Sequence, residues 1–184
     1  PVQAGSVTAV GEPAIEPTLR PRVPRQSWIV FAAGSIAMAQ SGLALSILNV
    51  AFPSLRDDFS STSASTLSWV INLYTIVAGA FLVLAAVIVD RLGAKRVVMI
   101  GGTLFSASAL CCALAPNVPI LLVARVVQAL GSALLTPSCV ALIVGAFPDT
   151  HRATAVAGYT AVGSVSAGFG PTLGGLLADA GGWR

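Results

Sequence analysis

Arg125 and Gln128 lie three residues apart inside an otherwise apolar stretch, Leu121-Leu122-Val123-Ala124-Arg125-Val126-Val127-Gln128-Ala129-Leu130-Gly131. On a helix that spacing puts both side chains on one face. A guanidinium inside such a run costs on the order of a few kcal/mol and by default turns toward a bundle interior or a watery cavity. The alternative is snorkelling, since Arg125 stands about one and a half turns from the end of its run. A second constellation, Asp90-Arg91-Leu92-Gly93-Ala94-Lys95-Arg96, sets one carboxylate and three cations between two apolar runs. Such a loop can anchor topology, or its carboxylate and guanidinium can form charge-assisted contacts that exist in one conformation only. A third, Ser166-Ala167-Gly168-Phe169-Gly170-Pro171-Thr172-Leu173-Gly174-Gly175, repeats a small residue every fourth position at Ser166, Gly170 and Gly174. That face lets another backbone approach closely, and Pro171 removes a helical hydrogen bond and should bend the helix. These glycines lack the G-x-G-x-x-G spacing of a nucleotide loop.

The other polar residues within apolar runs are Gln40, Asn49, Asn72 and Tyr74. They can line a substrate path or bond across helices, at about 0.6 kcal/mol each. Asp57, Asp58, Asp90, Asp149 and Asp179 all fall at run edges or in loops, so the runs carry no deep carboxylate. Cys111, Cys112 and Cys139 have no metal spacing and read as small hydrophobes. His151, the one histidine, reads as a solvated loop residue. No carboxylate pair, Ser–His pair or metal cluster within the runs suggests an enzyme, and no cofactor or metal is expected.

The elements that must position these residues follow from composition. Hydrophobic residues make up 55% of the 184 and charged residues 9%, against roughly a quarter charged in soluble domains. Lipid is therefore the expected solvent. The net charge of +3 comes from basic residues scattered between apolar runs, which excludes a nucleic-acid surface. Five continuous runs, at about 28–52, 67–89, 97–115, 120–147 and 153–180, each supply about the 20 residues a spanning helix needs. Because they do not alternate, they are helices and not barrel strands. Residues 1–26 are a Pro- and Gly-rich stretch expected to be a flexible cytoplasmic tail, and 27–184 the transmembrane region. With the N-terminus inside, Arg20, Arg22, Arg25, Arg91, Lys95, Arg96 and Arg152 are cytoplasmic, and only Arg56 and Arg184 are external; the positive-inside rule selects that orientation.

Four segments resemble motifs of the major facilitator superfamily. The 90–96 segment resembles the family's G-x-L-A-D-R-x-G-R-K loop, with Ala86 in place of the first Gly and Ala94 in place of a usual basic residue. Arg125 to Ala133 resembles R-x-x-Q-G-x-G-x-A, with Ala129 at a usual Gly. The 166–175 segment resembles the antiporter signature g-x-x-x-G-P-x-x-G-G. Ser46-Ile47-Leu48-Asn49-Val50-Ala51-Phe52-Pro53 resembles L-D-x-T-I-V-N-V-A-L-P of the fourteen-span drug/proton antiporter branch, and Trp69 and Tyr74 fit that branch too. Its membrane-embedded carboxylate falls on Ala44 here.

The resemblance implies an all-α membrane protein whose five or so transmembrane helices form an incomplete N-terminal half of a major-facilitator-type bundle. It implies a cytoplasmic gating loop at Asp90, Arg91, Gly93, Lys95 and Arg96 and an intramembrane coupling charge at Arg125 and Gln128. It also implies an antiporter hinge and packing seam at Ser166, Gly170, Pro171, Gly174 and Gly175. The implied function is drug efflux across a bacterial-type plasma membrane, driven by the proton gradient, on small amphipathic substrates. The fragment itself is expected to be inactive without its missing C-terminal helices. The other expectation is a truncated, non-transporting membrane protein that assembles with or regulates a partner chain.

Overall fold

The computed structural model describes residues 23–60 and 62–181; residues 1–22, most of the expected tail, lie outside them. Five α-helices follow in chain order: α1 (Arg25–Asp58), α2 (Ala64–Leu92), α3 (Ala94–Ala113), α4 (Val118–Ala146) and α5 (Asp149–Gly181). Each covers one of the expected runs. A hydrocarbon solvent leaves a chain little choice, since helices alone satisfy their backbone groups within one segment. α1 to α4 are each long and apolar enough to cross a membrane. α5 is as long, at 33 residues, but its seven glycines dilute its apolar content. The chain is a multi-pass, all-α membrane protein.

Helix ends carry local instructions. Ser63 accepts a hydrogen bond from the Thr66 N–H at 3.2 Å, and Asn117 accepts one from Ile120 at 3.0 Å; each side-chain oxygen satisfies an amide the first turn would leave unpaired. α1 outruns its expected end. The first apolar run ends at about residue 52, yet the helix continues through Pro53 to Asp58. Burial explains the extension: Leu55 is fully buried among Leu48, Leu67, Val70, Val118 and Leu121, so one more turn of α1 completes an apolar cluster with α2 and α4. The expected seven-residue loop 90–96 also contracts. Asp90 and Arg91 end α2, Lys95 and Arg96 open α3, and Gly93 alone is non-helical, at φ 85°. That left-handed conformation is costly for any residue with a Cβ.

α4 is the hub. It packs most extensively on α3 and α2 and also reaches α1 and α5, while α5 lies mainly along α1. Just over half of its apolar stretch, 56%, is buried within the bundle, against 11–22% for α1, α2 and α3. The remaining apolar surface, such as Val83, Met99, Leu110, Val123 and Leu176, faces outward, as lipid permits. Close approach of α3 and α4 depends on Gly131 and Gly101. A Cβ at 131 would lie 2.7 Å from the Phe105 amide nitrogen and 2.9 Å from the Gly101 carbonyl, both backbone atoms that cannot yield. Without a hydrophobic force between helices in lipid, such intimate contact is what holds them together.

Gly131→Ala is therefore expected to destabilise the bundle by about 1–3 kcal/mol, the usual cost of overpacking. Gly79, where an added Cβ meets nothing within 4 Å, is the control: Gly79→Ala should be neutral or stabilising by up to about 1 kcal/mol. Thermal unfolding of both variants in detergent checks this, and equal melting temperatures would refute the seam.

Candidate functional site

Small residues build the site by letting α4 sit among its neighbours. Ala124, Ala129, Ser132 and Ala133 are buried, and the two long polar side chains of α4, Arg125 and Gln128, are buried with them. Arg125 is 7% exposed, so it does not snorkel to an aqueous edge within this bundle. Its Nη1 donates to Gln128 Oε1 at 2.9 Å. The guanidinium carbon lies 5.8 Å from the centre of the Tyr74 ring on α2, within cation–π range. Nε is buried without a hydrogen-bond partner. One of five N–H donors is thus satisfied by a protein acceptor among the described residues.

Beside the pair lies a cavity of about 180 Å³, walled by Ala44, Ile47, Leu48 and Ala51 of α1, Ala109, Cys112 and Ala113 of α3, and Leu121, Arg125 and Gln128 of α4. Ala44, where the resembling branch carries its carboxylate, opens onto this cavity. Tyr74, 3% exposed, stands on the other flank of Arg125. Its hydroxyl is within electrostatic reach of Ser132 and Ser41 but lacks an aligned hydrogen bond. Ser132 donates to Ser41 at 3.4 Å, linking α4 to α1. The serines had no sequence signal beyond being small residues in apolar runs. The other polar candidates do not converge here. Gln40, Asn49 and Asn72 sit on faces the five helices leave uncovered, and the Asn49 amide bonds back to the Leu45 carbonyl at 2.8 Å.

The small-residue face of α5 meets α1. A Cβ at Gly170 would collide with Ser46, and one at Gly174 would lie 3.2 Å from the Ile47 Cα. Ser166 faces Gly42 in the same row. Pro171 is exposed, and Gly175 has nothing near its missing Cβ, so these two lie off the contact. Pro171 still shapes the seam: lacking an N–H, it frees the carbonyl four residues earlier, at Ala167. Ser46 Oγ donates to that carbonyl at 2.8 Å, so α1 supplies the bond α5 cannot make for itself. At the α2–α3 end, Asp90, Arg91, Lys95 and Arg96 are all exposed. They make no side-chain ion pair or hydrogen bond among the described residues. The nearby Arg152 does, pairing with Asp149 and donating through Nε to the Phe147 carbonyl at 3.1 Å.

The described residues thus form a multi-pass helical bundle with a buried cation beside a small, mostly apolar cavity and with glycine seams between its helices. Residues 34–184 match the Major Facilitator Superfamily, and the chain belongs to that family. It is 36% identical over 159 residues to a methylenomycin A resistance protein of Streptomyces coelicolor, covering 86% of this chain and 33% of that protein. It is 38% identical over 139 residues to the multidrug resistance protein Stp of Mycobacterium tuberculosis, covering 75% of this chain and 26% of Stp. It is 36% identical over 162 residues to the drug efflux pump JefA of the same organism, covering 88% of this chain and 32% of JefA. The chain thus spans about a quarter to a third of the length of these relatives.

The Arg125–Gln128 bond sets a stability prediction. Gln128→Leu removes the acceptor and leaves a second part of the buried guanidinium unsatisfied, at an expected cost of about 1–3 kcal/mol. Adding Arg125→Met should recover most of that loss, because replacing both members of a buried polar pair is often nearly neutral. A double-mutant cycle on thermal unfolding measures the coupling; additive effects would mean that the two side chains do not depend on each other.

Proposed function

We propose that this chain is the N-terminal portion of a secondary active transporter that exports small amphipathic, drug-like molecules across a bacterial-type plasma membrane. Its N-terminus is cytoplasmic in this reading. The observation that carries it is the buried Arg125–Gln128 pair bordering a partly open cavity among α1, α3 and α4, joined to family membership. A buried charge is expensive and marks substrate or ion pathways. The names of the relatives, resistance proteins and an efflux pump, support drug-like cargo.

Proton exchange is the proposed energy source, with no bound cofactor. The described helices hold no carboxylate away from their ends, so the titrating group of the antiport belongs to another part of the transporter. The exposed cluster Asp90, Arg91, Lys95 and Arg96, turned about Gly93, would serve as a cytoplasmic latch closing on helices beyond this chain. The α1–α5 seam around Ser46, Ser166, Gly170 and Gly174, with Pro171 beside it, would be the hinge. Alternating access needs two repeats or bundles rocking about a central site. Five helices gathered on α4 make one such body, so the 184 residues alone should not transport.

Proteoliposomes of the 184-residue chain are accordingly expected to show no proton-driven accumulation of a fluorescent cationic dye. In a full-length version, Arg125→Ala should abolish drug resistance at unchanged expression. Resistance equal to the parent would remove Arg125 from the mechanism. For topology, Lys95→Cys in a cysteine-free background should react with an impermeant maleimide only in inside-out vesicles; labelling in right-side-out vesicles would invert the orientation.

A further inference from the structure

The cavity beside Arg125 has an asymmetry the transport reading does not use. Gln128 takes one terminal nitrogen of the guanidinium and the Tyr74 ring sits at one flank, while Nε is buried with no partner. The carboxylates Asp57, Asp58, Asp90 and Asp149 sit at helix ends, and the wall position at 44 is an alanine. A 93%-buried cation is thus left without a counter-charge on any described residue that faces it. A buried unpaired cation is far more costly than a paired one, and the terminal nitrogens of the guanidinium, one of which meets Gln128, retain N–H groups that can donate charge-assisted hydrogen bonds to a carboxylate in the cavity.

We propose that this cavity is a binding site for a small monocarboxylate anion: its carboxylate on the terminal nitrogens of Arg125, and its apolar body against Ala44, Ile47, Leu48 and Ala109. Size supports the class. A volume of about 180 Å³ is below the roughly 300–1,000 Å³ of pockets for drug-sized ligands, so the occupant is a single small ring or short chain. Polarity does too, because the wall offers the guanidinium and one amide, and the rest is Ala, Ile, Leu and Cys. The inference concerns binding to this chain and does not depend on whether it transports.

The test uses the 184-residue chain in phosphatidylcholine nanodiscs, with benzoate as the probe and uncharged benzamide as its matched control. Benzoate is expected to raise the melting temperature saturably and to bind about ten-fold or more tighter than benzamide, equivalent to about 1.4 kcal/mol. Equal binding of the two, or no binding of either, overturns the proposal. Ala44→Asp supplies the anion from within: it should abolish the benzoate response and melt at a higher temperature than the equal-sized, neutral Ala44→Asn. If Ala44→Asp keeps the benzoate response, or melts no higher than Ala44→Asn, Arg125 has no vacancy for an anion and the site is wrong. Because Arg125 is retained in both variants, the comparison does not rest on a substitution that could unfold the bundle.

Discussion

Inside a bilayer an N–H or a C=O can find a partner only within the protein, and that single requirement orders this structure. It makes the apolar runs continuous helices. It also decides what the serines and threonines do. Ser138 bonds back to the Leu134 carbonyl and Thr160 to Ala157, consuming their hydroxyls locally. Others reach across: Ser27 donates to the Ala146 carbonyl at 2.5 Å, capping the end of α4 from the start of α1, and Ser46 donates to Ala167 on α5. These two donors tie α1 to α4 and α5 at sites 119 and 121 residues away. Arg125 is the extreme case, with more donors than the bundle provides acceptors.

The second constraint is that lipid does not squeeze helices together. Their association must come from packing and polar contacts, so seams form where side chains are small enough to vanish. Two such seams lie among the described residues. One joins α3 to α4 through Gly101 and Gly131; the other joins α1 to α5 through Gly42, Gly163, Gly170 and Gly174. They differ in kind. The α3–α4 seam is backbone against backbone and sits within the hub. The α1–α5 seam includes Met38 and Ser46 side chains facing glycines and passes a proline. Each pair includes a helix that a proline deprives of one internal bond, Pro137 in α4 and Pro171 in α5, so the two pairs differ in what fills the seam.

Much of this was legible in the sequence because lipid simplifies the code. The runs gave the five helices, and the Arg125–Gln128 spacing gave their shared face. The every-fourth-residue pattern at Ser166, Gly170 and Gly174 gave the face of α5 that α1 covers. Gly175, in the same cluster, faces away, which helical phase alone distinguishes. What could not be read was pairing between distant segments. Gly101 looked like any glycine in an apolar run until Gly131 stood opposite it. Ser41, Ser46 and Ser132 acquired meaning only from the carbonyl or hydroxyl each meets. Gln40, Asn49 and Asn72 looked equivalent to Tyr74, yet Tyr74 alone is turned inward, because inward and outward are defined by α4 and not by polarity. The charged residues around Gly93 resemble a loop in composition, whereas at a membrane edge they extend α2 and α3 toward water and leave Gly93 alone outside the helices.

The pairing of Arg125 with Ala44 on one cavity bears on how energy coupling could be divided in the longer transporter. A guanidinium is not deprotonated in proteins, so Arg125 can set an electrostatic field but cannot carry the proton. A carboxylate beside it could do both, alternately pairing with the guanidinium and with a proton. With alanine at that position the two tasks are separated: Arg125 is a fixed cation, and the proposed proton exchange then needs a titrating group other than one at position 44. A fixed cation favours anions and disfavours cations at close range, by an amount that grows as the surroundings become drier. Alanine at position 44 therefore does more than leave out a proton site; it leaves the positive charge of Arg125 unneutralised, where a carboxylate at 44 would bring the pair close to neutral.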